Sequence, residues 1–334
     1  MPTGNASING AVSCILVLLL SAGCDTDNTT GPTGENSEYR QEMRSFVMNL
    51  SSWAKAEQSG FIIVPQNGQE LATDNGDPEG TPQTAYLASM DATGREDMFY
   101  GYTSDNVPTP ASESQYLRDL CLICEDNGVQ VLATDYCWTE EYVYDSYQTN
   151  EQYGFISFAA AQRDLNTIPD YPGNPWNVNT DTVSDIDQAA NFLYLINGDN
   201  YGTKQEFISA VSQTSFDVVI LDLFYNEQQF SQDDLDQLRQ KSGGGERLLI
   251  CYMSIGEAED YRYYWDPAWN TQKPSWLGEE NPNWPGNYKV EYWNPEWQAI
   301  IFGNDDSYLQ RIIGAGFDGV YLDIIDAFEY YENR

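Results

Sequence analysis

Near the end of the chain, Gly316-Phe317-Asp318-Gly319-Val320-Tyr321-Leu322-Asp323-Ile324-Ile325-Asp326 sets a glycine before a short run of β-formers and closes the run with two carboxylates. Such a run reads as a buried parallel strand that delivers acids to a site. Side chains alternate across a strand, so Gly319, Tyr321 and Asp323 share one face while Val320, Leu322 and Ile324 take the other. In a β/α barrel the apolar face meets the helices, the other points inward, and an acid at the C-terminal end lies on the catalytic rim. Asp323 is therefore the first candidate for chemistry.

The rest of the chain repeats this unit. Residues 39–58 carry Met43, Phe46, Val47, Leu50 and Trp53 at helical spacing. Strand-like runs follow at 61–64, 90–96 (weaker in β-formers), 129–136 and 154–158. Residues 164–200, rich in Pro, Asn and Asp, read as a long connection. Strands resume at 216–222, 247–253, 288–292 and the Asp323 run, separated by helix-like segments at 204–213, 232–241 and from about 295. Eight strands alternating with helices predict an α/β fold, a (β/α)8 TIM barrel. A chain of 334 residues, 41% of them hydrophobic, suits one such barrel of about 250 residues. The last strand has almost nothing after it, while an unpaired helix opens the folded part. Circular closure, with helix 39–58 packing after the Asp323 strand, resolves both.

At the N-terminus an apolar run from Ala11 to Leu20 is too short to span a bilayer as a mature helix and suits a signal-peptide core. Ser21-Ala22-Gly23-Cys24 after it resembles the lipobox at which bacterial-type lipoproteins are cleaved and acylated, making Cys24 the expected lipidation site. The predicted organisation is a signal peptide over 1–24, a flexible tether over 25–37 and one barrel domain over 38–334. The protein is expected to be exported, extracellular or at the cell surface, and joined to a membrane only through its lipid anchor. Cys121 and Cys124 lie three apart on a helix-like segment, where both would face the core; a zinc pair would need a partner pair that the sequence lacks.

No histidine occurs, which removes Ser-His-Asp and Cys-His nucleophile systems and His-ligated metal sites. Fifty-two acids against fifteen bases give a net charge of −37. Phosphate binding needs a basic surface, so nucleic acid is excluded as a partner. Acid–base chemistry falls to carboxylates, and no cofactor is called for. The acidity itself has two readings, a solvated surface suited to high salt and an attraction for a cationic polymer.

Several blocks together resemble glycoside hydrolase family 114, the endo-α-1,4-polygalactosaminidases. They are Ser254-Ile255-Gly256-Glu257-Ala258-Glu259, Tyr261-Arg262-Tyr263-Tyr264-Trp265, Tyr292-Trp293-Asn294-Pro295-Glu296-Trp297 and the run from Gly316 to Asp323. In the family these form the first half of the barrel. The blocks that normally follow lie earlier here: Val64-Pro65-Gln66-Asn67-Gly68, Gly94-Arg95-Glu96-Asp97-Met98-Phe99-Tyr100 and Ala133-Thr134-Asp135-Tyr136. The resemblance thus implies a circularly permuted barrel of strand order 5-6-7-8-1-2-3-4, with residues 164–200 bridging the old ends. It also implies a catalytic pair, Asp323 as nucleophile and Glu96 as acid/base, and a galactosamine-type polysaccharide as substrate. The alternative for each acid is a rim carboxylate that binds sugar or satisfies backbone donors. Asp222, Tyr252, Glu257, Arg262, Trp293, Asp326, Asn67, Asp135 and Tyr136 stand at or just past strand ends and are the substrate-binding candidates; Glu257 with Arg262 reads equally as a structural ion pair. Chitinase-like barrels close the comparable strand with a glutamate where Ile325 stands, so hydrolysis assisted by an N-acetyl group is not expected. A surface glycan-binding barrel without turnover is the alternative function.

Overall fold

In the computed structural model, which describes residues 36–333, the strands assemble as buried parallel sheets. The expected export segment, Cys24 and nearly all of the tether lie outside the described residues. Eight strands carry the parallel framework: β1 (Ile62–Pro65), β2 (Ala92–Glu96), β3 (Gln130–Tyr136), β4 (Ile156–Ala160), β5 (Phe192–Tyr194), β6 (Val218–Leu221), β7 (Leu248–Ser254) and β8 (Gly319–Asp323). One sheet runs β1-β8-β7-β6-β5, with Ile62 opposite Gly319 and Asp323 opposite Ser254. A second runs β2-β3-β4, with Glu96 opposite Thr134. Nearly every residue in these strands is buried, as a sheet with both faces covered requires.

The two sheets meet at both edges. Gln66 forms a parallel bridge with Gly94, and the Asn67 N–H donates to the Gly94 carbonyl at 2.8 Å, joining β1 to β2. At the other edge the Phe158 ring of β4 lies 5.8 Å from the Phe192 ring of β5. This mixed α/β arrangement is consistent with a barrel. Helices such as Ala111–Asp126, Lys204–Ser212 and Tyr308–Ala315 turn their apolar stripes onto the sheets. Cys121 and Cys124 are buried on the first of these, as their spacing predicts. The opening helix, Asn36–Glu57, buries Met43, Phe46, Val47, Leu50 and Ala54 completely. It packs beside the helix Ala327–Glu332 that follows β8, where Arg40 meets Glu332 at 2.9 Å.

One expected strand forms in a different sheet and another was hidden. Residues 288–292 do not join the parallel framework. Asn287–Val290 pairs antiparallel with Glu257–Glu259 and Leu277–Glu280 in a small separate sheet. Three of its four residues are only half-buried, among them Lys289, which a strand covered on both faces would not tolerate. The place is taken by β5, inside the stretch 164–200 that reads as a connection. Three residues among Asn, Asp and Gly are too few to show a period, yet tertiary packing buries all of them.

Candidate active site

The C-terminal ends of β8, β1 and β2 lie side by side, and each chain turns sharply as it leaves its strand. Ile324, Asn67 and Asp97 all take left-handed backbone conformations, with φ of 60°, 61° and 60°. For a β-branched residue such as Ile324 this is costly, and strain of that kind collects at functional sites. The turns hold the side chains before them in fixed directions.

Asp323 is 5% exposed. Its Oδ2 accepts a hydrogen bond from Tyr252 Oη on β7 at 2.5 Å, and its Oδ1 accepts from the Ile324 N–H at 2.8 Å. Burial pushes this carboxyl up to about 8; the Tyr252 hydroxyl pulls against the rise and the Glu96 charge adds to it. Two residues back, the buried Tyr321 ring lies 5.0 Å from Tyr194, and its tip reaches across to β2. A Cβ at Gly94 would collide with that hydroxyl, so the glycine is what admits it.

Glu96 is 3% exposed. Its Oε1 accepts from Tyr136 Oη on β3. Asn67 holds the other side reciprocally: Nδ2 donates to Glu96 Oε2 at 3.0 Å, while Oδ1 accepts from the Glu96 N–H at 3.1 Å. Burial raises the Glu96 carboxyl, the Asp97 charge raises it further, and Tyr136, Arg163 and Asn67 draw it back.

Both acids line one cavity of about 290 Å³. Glu70, Asp97, Glu113, Asp326 and Glu329 line it too, against Arg95 as the cation in its wall. Seven carboxylates face one guanidinium, so the cavity is strongly negative wherever these acids are ionised. Asp326 rises to about 8 through burial and the charges of Glu329 and Glu70, and Glu329 to about 7 through burial and Glu70. Among the described residues no cluster of acids and cysteines has the arrangement to hold a metal ion.

Of the expected site residues, the structure brings Asp323, Glu96, Asn67 and Asp326 to the cavity, with Tyr252 and Tyr136 bonded to the two acids from behind. The others lie elsewhere. Asp135 is completely buried, takes hydrogen bonds from Ser146 Oγ at 2.6 Å and the Phe99 N–H at 2.8 Å, and burial pushes it up to about 6. Trp293 packs between the rings of Tyr39 and Tyr331, at 5.2 and 4.7 Å. The expected Glu257–Arg262 pair does not form: Glu257 meets Lys289 at 2.6 Å, while Arg262 binds Asp222 at 2.7 Å and Glu259 at 2.6 Å. Sequence reasoning missed Glu70, Arg95, Asp97, Glu113 and Glu329. Arg95 and Glu70 stand inside blocks already quoted or two residues beyond them, and Glu329 lies one helical turn past Asp326.

The model of glycoside-hydrolase family GH114 matches residues 174–334. The match supports membership of that family. The matched segment spans β5 to β8 and includes Asp323, whereas Glu96 lies before it. An uncharacterized protein of Methanocaldococcus jannaschii, MJ1477, is 40% identical over 156 residues, covering 46% of this chain and 42% of its own length. Uncharacterized proteins of Thermotoga maritima and Deinococcus radiodurans are 42% identical over 121 residues and 41% over 133, covering 36% and 40% of this chain and 36% and 41% of their own lengths. The chain thus spans well under half the length of these relatives. The likeness to a glycoside-hydrolase family thus rests on residues 174–334, just under half of the chain.

Proposed function

We propose that the protein is an exported endo-acting glycoside hydrolase that cleaves an α-linked, galactosamine-type polysaccharide with Asp323 and Glu96. The observation that carries this reading is the meeting, in one acid-lined cavity, of two buried, hydrogen-bonded carboxylates from the ends of β8 and β2, the strands on either side of β1. Glycosidic cleavage needs one carboxylic acid to protonate the leaving oxygen and one carboxylate to attack the anomeric carbon or to activate water. In this assignment Asp323 attacks C1 and forms a glycosyl ester while Glu96 gives its proton to the departing oxygen. Glu96 then takes a proton from water, which attacks the ester and frees Asp323. Tyr252 and Tyr136 orient the two carboxylates, and Asn67 fixes the rotamer of Glu96. Burial leaves Asp323 protonated at neutral pH in the ligand-free site. An ammonium group on a bound galactosamine favours the ionised form, so a cationic substrate would itself arm the nucleophile.

The same reading includes a closed, circularly permuted barrel. Supporting it are the β1–β2 bridge, the ring contact between β4 and β5, and a family match confined to the half that contains β5 to β8. Residues 164–200 then join the family's two halves, with β5 as its first strand.

The test is reducing-end release from partly deacetylated α-1,4-polygalactosamine across a salt series, for wild type, Asp323→Asn and Glu96→Gln. Release by the wild type that both substitutions abolish is the expected result. No release at any salt from folded protein would sink the hydrolase and leave the glycan-binding alternative, which a binding screen would then address. Export and anchoring at Cys24 are tested separately, by loss of palmitate labelling in Cys24→Ala.

A further inference from the structure

Arg163 follows β4 and stands outside every block that drew attention to the site. Its guanidinium forks onto Asp97, Nη2 to Oδ1 at 2.8 Å and Nη1 to Oδ2 at 3.3 Å. Nε donates to Asp105 Oδ1 at 2.7 Å, and Nη2 also to the Gly101 carbonyl at 3.1 Å. The same group lies over the Tyr136 ring, with Cζ 3.7 Å from the centroid. Tyr136 is the residue whose hydroxyl binds Glu96, and Asp97 is the residue next to Glu96. One side chain therefore touches two of the neighbours of this acid. The left-handed turn at Asp97 aims its carboxylate at the fork, Thr109 Oγ1 donates to the Asp97 carbonyl at 2.9 Å, and a Cβ at Gly101 would collide with Asp97 Oδ1.

We propose that Arg163 is a positioning residue for Glu96, holding the Tyr136 ring against the Glu96 carboxylate and cancelling the negative charge of Asp97 beside it. The proposal rests on the reading of Glu96 as acid/base. Tying loops together would need only the contacts to Asp105 and Gly101; the bidentate face is directed at Asp97. A planar guanidinium serves both tasks at once, because it can fork and stack together. The other ionisable groups whose fields meet at Glu96 are Tyr136 of β3, Tyr194 of β5, Tyr321 and Asp323 of β8, and Asp97 and Arg95 of its own segment. Arg95 is turned away, to the Glu96 carbonyl at 3.0 Å and Gln69 Oε1 at 3.3 Å. Arg163 is the cation that opposes the rise of Glu96.

The experiment follows the Glu96 carboxyl by carbon NMR against pH, assigned with Glu96→Gln, in the full chain. Arg163→Met should move the Glu96 midpoint up by about one pH unit, since Asp97 is then left uncancelled, and lower kcat about tenfold with little change in KM. Arg163→Lys, which keeps the charge and loses the fork, should restore most of the midpoint and only part of kcat. Adding Asp97→Asn to Arg163→Met removes the charge that Arg163 opposes and should bring the midpoint back down. Asp97→Asn alone, which does not depend on Arg163→Met folding, should lower the midpoint below that of wild type. An unmoved midpoint in folded Arg163→Met, or one that Asp97→Asn fails to reset, overturns the proposal. The titration needs no substrate. A midpoint that moves as expected in a protein without turnover would therefore uphold the role of Arg163 and overturn the hydrolase reading instead.

Discussion

Replacing Asp323 by Asn should stabilise the protein, and by an amount that grows as the pH rises. The carboxyl titrates near 3.8 in an unfolded chain and at about 8 in the folded one, chiefly because burial disfavours its charge. A carboxylate whose pKa is raised on folding contributes fully below its unfolded value, about pH 4, and that contribution is lost as the pH climbs through its folded value, about pH 8. Roughly four pH units, at about 1.4 kcal/mol each, set a ceiling of about 6 kcal/mol on the loss between those limits. Asn has no proton to lose and escapes it.

The attainable difference is smaller than the ceiling. Part of the rise comes from the charge of Glu96, which relaxes once Asp323 is neutral. Urea unfolding of wild type and Asp323→Asn at pH 5, 6, 7 and 8 is the measurement. The stability gap should widen by about 2–4 kcal/mol across that range while the m-value stays constant. Gaps that stay parallel, or that narrow toward alkaline pH, would refute the claim that this carboxyl is held protonated by burial. A variant that gains stability and loses turnover is the behaviour expected of a site that stores its cost in an acid.

Three further outcomes follow from the same geometry. On a cationic substrate kcat/KM should be bell-shaped in pH, with a rising limb because Asp323 must ionise to attack and a falling limb because Glu96 must keep its proton for the leaving oxygen; a profile with no alkaline fall would remove Glu96 as the acid. Tyr252→Phe removes the 2.5 Å hydrogen bond to Asp323 Oδ2 and should shift the rising limb upward and cut kcat/KM about 10- to 100-fold, read from pH–rate curves. Gly94→Ala drives a methyl into the tip of Tyr321 and should cost about 1–3 kcal/mol in urea unfolding; Tyr321→Phe in the same chain should recover only part of it, since ring Cζ would still lie 2.5 Å from the new Cβ, and no recovery at all would mean that the hydroxyl is not part of the clash.

What the sequence made legible was whatever the strands wrote locally. The run from Gly319 to Asp323 alternates as expected, with Tyr321 and Asp323 on the inward face, and Cys121 and Cys124 are buried as their helical spacing required. β5 was illegible because three buried residues show no period, and Asn287–Val290 looked like a core strand because Tyr and Val suit any half-covered sheet. The catalytic candidates were named, but the residues that hold them were only partly found. Tyr252 and Tyr136 sat in recognisable positions. Arg163 did not, because its importance lies in a ring 3.7 Å away and in a carboxylate 66 residues before it in the chain. Contacts of that kind exist only after folding.

The two readings of the acidity can be separated by where the charges sit. A net charge of −37 spread over a surface is screened within about 10 Å at 0.1 M salt, so any pull it exerts on a cationic polymer fades as salt is added. The carboxylates around Asp323 and Glu96 are in a different position, because they line a cavity of about 290 Å³ and three of them, Asp323, Glu96 and Asp97, are buried. Attraction there works over a few ångströms through protein and survives salt. Association should therefore weaken steeply with salt if the surface does the recruiting, while the preference for an amino sugar over its N-acetylated form should persist if the cavity does the recognising. The second quantity is a ratio of two rates measured under one condition, so it is independent of how much the surface helps. A ratio that collapses with salt would move recognition out of the cavity and onto the surface, and with it the argument that the substrate's own charge ionises Asp323.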